Sequence, residues 1–203
     1  VHVTTGANTV GATISATGAC EFGIDATDEN AVLTVDADQL VSISSSDPAS
    51  DIEAAGADNT VFVDTTSGAL TGYVLDADVE NWEVGTFGTV RNNSVTLGDN
   101  GQDARFGGGD DVLRIASSGV LDPTGTLIGG ANSVGDILEL GDGADISNAT
   151  ITQFEILRLD DDASVTMTVE QHEAFATTVL VNSESAATNE EITFSNTGLI
   201  YGR

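Results

Sequence analysis

The sequence is built largely from apolar runs of only four to seven residues, separated by Gly, Asp, Asn and Ser. The clearest runs cover residues 32–35, 60–63, 112–115, 137–140, 156–159 and 165–169. Short runs rich in β-branched residues and bounded by turn-forming residues are typical of β-strands. Because the strands are this short, the chain must turn often. The pattern predicts an all-β protein with a short-stranded β-solenoid or β-sandwich-like architecture.

Helical patterns are few. In residues 169–180, Val169, His172, Phe175 and Val179 recur at three- and four-residue spacing, which predicts a helix. A weaker helical pattern covers residues 36–41. We therefore expect one or two short helical turns.

Partial internal repetition suggests how the chain is organised. Residues 78–84 and 150–156 both place an aromatic residue directly before a Glu, which predicts that Trp82 and Phe154 are equivalent core residues. We expect an N-terminal β segment over residues 1–75 and a solenoid segment over residues 76–203, and a single continuous domain over 1–203 is the alternative.

The charge of the chain restricts its partners. It has 33 acidic residues, 5 arginines and no lysine, for a net charge of −28. Such a surface repels nucleic-acid phosphates and anionic lipids, and no apolar stretch approaches the roughly 18 residues of a membrane span. We expect no nucleic-acid binding and no direct membrane insertion. Cations are the favoured partners, and a solvated acidic coat adapted to salt is an alternative that is compatible with them.

Glycine and aspartate recur together in the middle of the chain. Calcium takes six to eight oxygen ligands from carboxylates and backbone carbonyls, and glycine lets the backbone turn tightly enough to supply several of them. The predicted calcium loops contain Asp99, Asp103, Gly108, Asp110, Asp111, Asp136, Asp142 and Asp145. For any one of these carboxylates, a solvated turn residue is the alternative. The Asp111 to Asp136 spacing of about 25 residues is too long for one tight turn, and we expect residues 118–125 to form a side loop or an additional strand.

The segment from Gly108 to Leu113 resembles one repeat of the RTX calcium-binding β-roll, in which a Gly-Gly-x-Gly-x-Asp unit precedes an apolar residue. Residues 129–130 together with 135–138 resemble a second, interrupted copy, and the likeness extends over residues 76–176 to RTX-type surface-layer and adhesin proteins. The resemblance implies secretion without a cleaved N-terminal signal, calcium-dependent folding outside the cell, and a structural or adhesive role. Because consecutive repeats are missing, we expect discrete calcium sites, not stacked rows.

Catalytic patterns are weak. Nucleophilic triads need a suitably placed histidine, and the chain has only His2 and His172, while its single cysteine, Cys20, has no partner for an intrachain disulfide. We expect a non-enzymatic, secreted, calcium-stabilised structural protein that assembles with itself into a surface layer or filament. The alternative is a calcium-dependent adhesin module that binds cell-surface polysaccharide.

Overall fold

A computed structural model describes residues 12–14, 22–25, 32–36, 52–55, 60–66, 68–75, 77, 79–85, 90–116, 122–180 and 190–195. The chain forms a parallel β-solenoid of about five turns with almost no helix. This confirms the all-β solenoid prediction. The short strands arise because each turn contributes only three to five residues to a sheet before a Gly- or Asp-rich corner redirects the chain.

Strands alternate between two long parallel sheets. Sheet I contains β1 (Ala12–Ile14), β3 (Val32–Asp36), β5 (Thr60–Asp64), β7 (Asn81–Val84), β9 (Asp103–Phe106), β11 (Thr126–Ile128) and β13 (Thr150–Thr152). Sheet II contains β6 (Thr71–Val74), β8 (Ser94–Thr96), β10 (Val112–Ile115), β12 (Ile137–Leu140), β14 (Ile156–Leu159) and β16 (Thr177–Leu180). Strands β15 (Ser164–Met167) and β17 (Glu191–Phe194) form sheet III, and β2 (Phe22–Asp25) pairs with β4 (Ile52–Ala55).

The register of sheet II defines the length of a turn. Val112 pairs with Ile137, 25 positions later, and Ile137 pairs with Ile156, 19 positions later. The spacing from Asp111 to Asp136 is therefore one solenoid turn. Within it β11 covers Thr126–Ile128, directly after residues 118–125, where an added loop or strand was expected, and the described part of that range, 122–125, is not a strand. Residue 75 is the end of the expected N-terminal segment. Strand β5 pairs with β7, and β6 pairs with β8, so both sheets continue across this position.

The core lies between the sheets and is built from aligned columns of side chains. In sheet I the column is Val61, Trp82, Ala104 and Leu127, and in sheet II it is Val95, Leu113, Leu138 and Leu157. All eight are buried. Alternate residues face outward, so each strand buries one face only, as the period of a strand requires. Removal of this apolar surface from water is the main stabilising contribution to the fold.

The paired aromatic residues of the sequence pattern are both buried, but they are not equivalent. Trp82 lies within β7 and pairs in register with Val61 and Ala104 of sheet I. Phe154 lies in the corner between β13 and β14. The prediction of equivalence was wrong because an aromatic followed by Glu occurs here in two different parts of a turn.

The predicted helix is shorter than its pattern. Helix α1 covers Val169–Ala174, and the Thr168 side chain caps it by accepting a hydrogen bond from the Gln171 amide. The Gln171 side-chain amide donates to the carbonyls of Ile146 and Ala149, at 2.7 and 2.9 Å, and so anchors the helix to the preceding turn. Residues 177–180 pair with β14 instead of continuing the helix, because β-branched residues favour strand conformation. The weaker pattern at 36–41 lies mostly outside the described residues.

Candidate functional site

The most distinctive polar feature is a column of side chains at the corner that precedes sheet II. Four successive turns place a carboxamide or carboxylate directly before β8, β10, β12 and β14. These residues are Asn93, Asp111, Asp136 and Glu155, and we call them the acidic ladder. Their positions coincide because the strands that follow them are in register.

Each ladder side chain accepts a hydrogen bond from the backbone N–H at the equivalent position one turn earlier. The donor–acceptor distances are 3.0 Å from Leu70 to Asn93, 2.7 Å from Asn93 to Asp111, 2.7 Å from Asp111 to Asp136, and 3.0 Å from Asp136 to Glu155. A buried N–H without an acceptor is costly. The ladder therefore satisfies a row of donors that face the next turn at the corner.

Two ladder carboxylates are fully buried. Asp111 and Asp136 are each 0% exposed. Burial raises the pKa of Asp111 to about 6, although hydrogen bonds from Asn93 oppose the shift, and the nearby Asp136 and Asp110 raise it further. Burial likewise raises the pKa of Asp136, against the hydrogen bonds from Asp111 and Asn132. Asp111 Oδ2 has no hydrogen-bond partner among the described residues.

Asp110, next to the ladder, binds the loop of the following turn. Its carboxylate accepts hydrogen bonds from the N–H groups of Ser133, Val134 and Gly135, at 3.0, 2.7 and 3.3 Å, and from the Ser133 hydroxyl. The backbone donors, Val134 first, hold the pKa of Asp110 below its ordinary value. Adjacent carboxylates thus have opposite pKa shifts because one faces backbone donors near the surface and the other is buried.

The other predicted ligands lie at separate corners. Asp103 Oδ1 accepts a hydrogen bond from the Thr126 amide at 2.6 Å, and Asp99, in an exposed turn, contacts the Gly101 amide at 3.4 Å. Asp142 accepts from the Ser164 amide and Asp145 from the Ser147 amide, both at 2.9 Å. Gly108 forms parallel bridges with Val90 and Ala131. The eight residues are therefore distributed over several corners, and the corner before sheet II brings Asp110, Asp111 and Asp136 close together.

No group of three or more His, Cys, Asp or Glu side chains within the described ranges is arranged to hold a metal ion. The carboxylates near the ladder point at least one oxygen each toward backbone donors. Calcium binding by these residues therefore stays a prediction.

The sequence patterns did not identify Asn93, Glu155 or Asn132 as part of this site. Asn132 donates to Glu155 at 2.6 Å and to Asp136 at 3.3 Å, and so links two ladder carboxylates. An available signal was the recurring polar residue directly before an apolar pair, as in Asp111 and Asp136. Because the spacing varies from turn to turn, Glu155 could not be aligned with them by a fixed period.

Of the two histidines and the single cysteine, only His172 lies in the described part of the chain. His172 is half-buried and packs edge-on against Phe194, with ring centroids 5.6 Å apart. His2 and Cys20 lie outside the described residues.

Among the described residues, no helix has the length and apolar character needed to cross a membrane. Comparison of the chain with protein-family models, with curated proteins and with solved structures gave no match.

Proposed function

We propose that this chain is a secreted, non-enzymatic structural protein that assembles with copies of itself into a surface layer or filament, and that calcium stabilises it. The observation that carries the proposal is the solenoid itself, in which about five turns share one core. Stacked turns form a stiff, quasi-one-dimensional body, which suits repeated assembly. The resemblance of residues 108–113 to an RTX repeat supports the extracellular location and the ion.

Calcium would act on the charge of this chain. A net charge of −28 opposes both compaction and the approach of a second copy. An ion that binds the folded corners but not the unfolded chain stabilises the fold by mass action, by about 2.7 kcal/mol per site at a hundred times its dissociation constant. The same ion lowers the repulsion between copies.

We expect the melting temperature of the purified chain to rise on addition of calcium chloride and to fall again with excess EGTA. Differential scanning calorimetry measures the shift, with magnesium chloride as the control for simple screening. The Asp110→Asn variant should lose part of the calcium-dependent increase, whereas the exposed Asp122→Asn variant should retain it. Identical melting in calcium, magnesium and EGTA would remove calcium from the proposal.

Negative-stain electron microscopy of the same samples tests assembly. Sheets or filaments that appear with calcium and dissolve with EGTA are expected. A chain that stays monomeric and binds purified cell-surface polysaccharide would support the adhesin alternative instead.

A further inference from the structure

The outward face of sheet II differs from the rest of this acidic chain. On β8, β10, β12 and β14 the outward residues alternate with the buried core residues. We call this surface the neutral face, and it consists of Ser94, Thr96, Val112, Arg114, Ile137, Glu139, Ile156 and Arg158.

Charges on the neutral face cancel within one network. Glu139 lies between two arginines, 3.3 Å from Arg114 Nε and 2.9 Å from an Arg158 guanidinium nitrogen. Arg114 also contacts Asp160, at the end of β14, at 2.7 Å. Two positive and two negative groups give a local sum of zero, although the chain as a whole carries −28.

Sheet I offers no comparable surface over its described side chains. Its outward positions include Asp64, Glu83 and Asp103 against Arg105, a local charge of −2. Two copies that approach through sheet I therefore repel each other. Two copies that approach through sheet II meet no such local repulsion.

The neutral face also carries apolar surface beside its charges. Val112, Ile137 and Ile156 form an aliphatic column that is partly exposed, and Val74 on the neighbouring β6 is 53% exposed. Aliphatic surface combined with arginine and few unpaired charges is the composition found in protein–protein interfaces.

We propose that a second copy of this chain docks on the neutral face, as one of the contacts of the assembly put forward above, on which this inference rests. Arg114 and Glu139 are adjacent in one outward column of sheet II. When two copies face each other in antiparallel orientation, with the two-fold axis parallel to the strands and between β10 and β12, Arg114 of each lies opposite Glu139 of the partner subunit. Such a contact is isologous, because the same residues serve on both sides.

The small size of the neutral face indicates a weak contact between two copies. The four strands of the face are spaced by about 4.8 Å and are about four residues long, so that it spans roughly 14 Å by 13 Å. This is well below the ~800 Å² per partner of a standard interface. The pairwise contact is therefore expected to be weak, and repetition in an array strengthens the association by raising the effective concentration of the partner.

Sedimentation equilibrium at protein concentrations up to the millimolar range tests the contact. Arg114→Glu should weaken dimerisation at least tenfold, and Ile137→Thr should weaken it severalfold. The matched controls are Arg105→Glu and Ile128→Thr on the outward side of sheet I, which make the same chemical changes and should leave dimerisation within twofold of wild type. Melting temperatures of all four variants establish that they are folded.

A mixing experiment tests the geometry separately from folding. Arg114→Glu and Glu139→Arg variants should each dimerise poorly alone, whereas their equimolar mixture should recover association, because each then presents the charge its partner lacks. No recovery on mixing, or equal weakening of dimerisation by the sheet I control variants, would overturn the assigned face.

If calcium-dependent sheets or filaments persist while all face variants behave as wild type, this inference fails and the proposed function stands. A wild-type chain that stays monomeric and forms no assembly contradicts both.

Discussion

We expect the Gly109→Ala variant to lose at least about 3 kcal/mol of unfolding free energy, a large fraction of the roughly 5–15 kcal/mol that is typical of native proteins. Gly109 has φ +143°, a conformation that side chains with a Cβ rarely adopt. A Cβ added there would overlap the carbonyl oxygen of Arg91 in the preceding turn. Because the obstructing atom is backbone, the turns themselves would have to separate.

Urea denaturation followed by circular dichroism measures this loss. Gly101→Ala is the matched control, since a Cβ at Gly101 would meet only Asp99 Oδ2 at 3.9 Å, an ordinary contact. It should lie within about 0.5 kcal/mol of wild type. Equal stability of the two variants would mean that the turns are not as closely stacked at Arg91 as described.

The second large effect concerns the buried carboxylate of Asp111. We expect Asp111→Asn to be more stable than wild type at pH 8, by up to about 3 kcal/mol, and to differ little from wild type at pH 3.5. The reason is that burial raises the pKa of Asp111 to about 6 from its ordinary value of 3.8, and each pKa unit corresponds to about 1.4 kcal/mol. The amide keeps an oxygen to accept from Asn93 but carries no charge.

The direction in which the unfolding free energy changes with pH follows from proton binding by Asp111. Below pH 3.8 Asp111 is protonated in both the folded and the unfolded chain, so its stabilising contribution is fully present. Between about pH 4 and pH 6 the folded chain keeps the proton and the unfolded chain loses it. Stability therefore falls as pH rises through this window and is lowest above it.

Unfolding free energies of wild type and Asp111→Asn, measured by urea denaturation from pH 3.5 to pH 8, give the comparison. Acidic groups distant from Asp111 are present in both proteins and cancel in the difference, whereas Asp110 and Asp136 are relieved of its negative charge in the variant, which acts in the same direction at pH 8. Asp122→Asn, at an exposed position, is the control and should run parallel to wild type. If Asp111→Asn also runs parallel to wild type, Asp111 is ionised in the fold and has its charge balanced there.

Strand positions could be read from the sequence because the local pattern determines them. The runs at 112–115, 137–140 and 156–159 have alternating apolar residues with turn residues on both sides, and the structure has strands at those positions. The length of the helix was overestimated because the three- and four-residue spacing of apolar residues continues into residues 177–180. There, pairing with β14 decides the conformation. That pairing is a long-range contact, and the only local indication of it is the run of β-branched residues at 177–179.

The candidate site was predicted only in part for a similar reason. Asp111 and Asp136 were identified by residue type and by the glycines before them, whereas Asn93 and Glu155 have no such glycines. Successive ladder positions are separated by 18, 25 and 19 residues, because the loops between the strands differ in length. A fixed repeat cannot align them, and only the register of sheet II shows that they share a column.

The direction of the ladder hydrogen bonds has a consequence for how the solenoid grows. Each acceptor belongs to the later turn and each donor to the earlier one. The backbone N–H of Asp111 therefore has its hydrogen-bond acceptor only when Asp136 is in place. A chain that emerges from a ribosome or a secretion channel with its N-terminus first always has one incomplete corner at its growing end. Each added turn completes the corner before it and leaves a new one open, which gives folding of the rod a polarity from the first turn to the last.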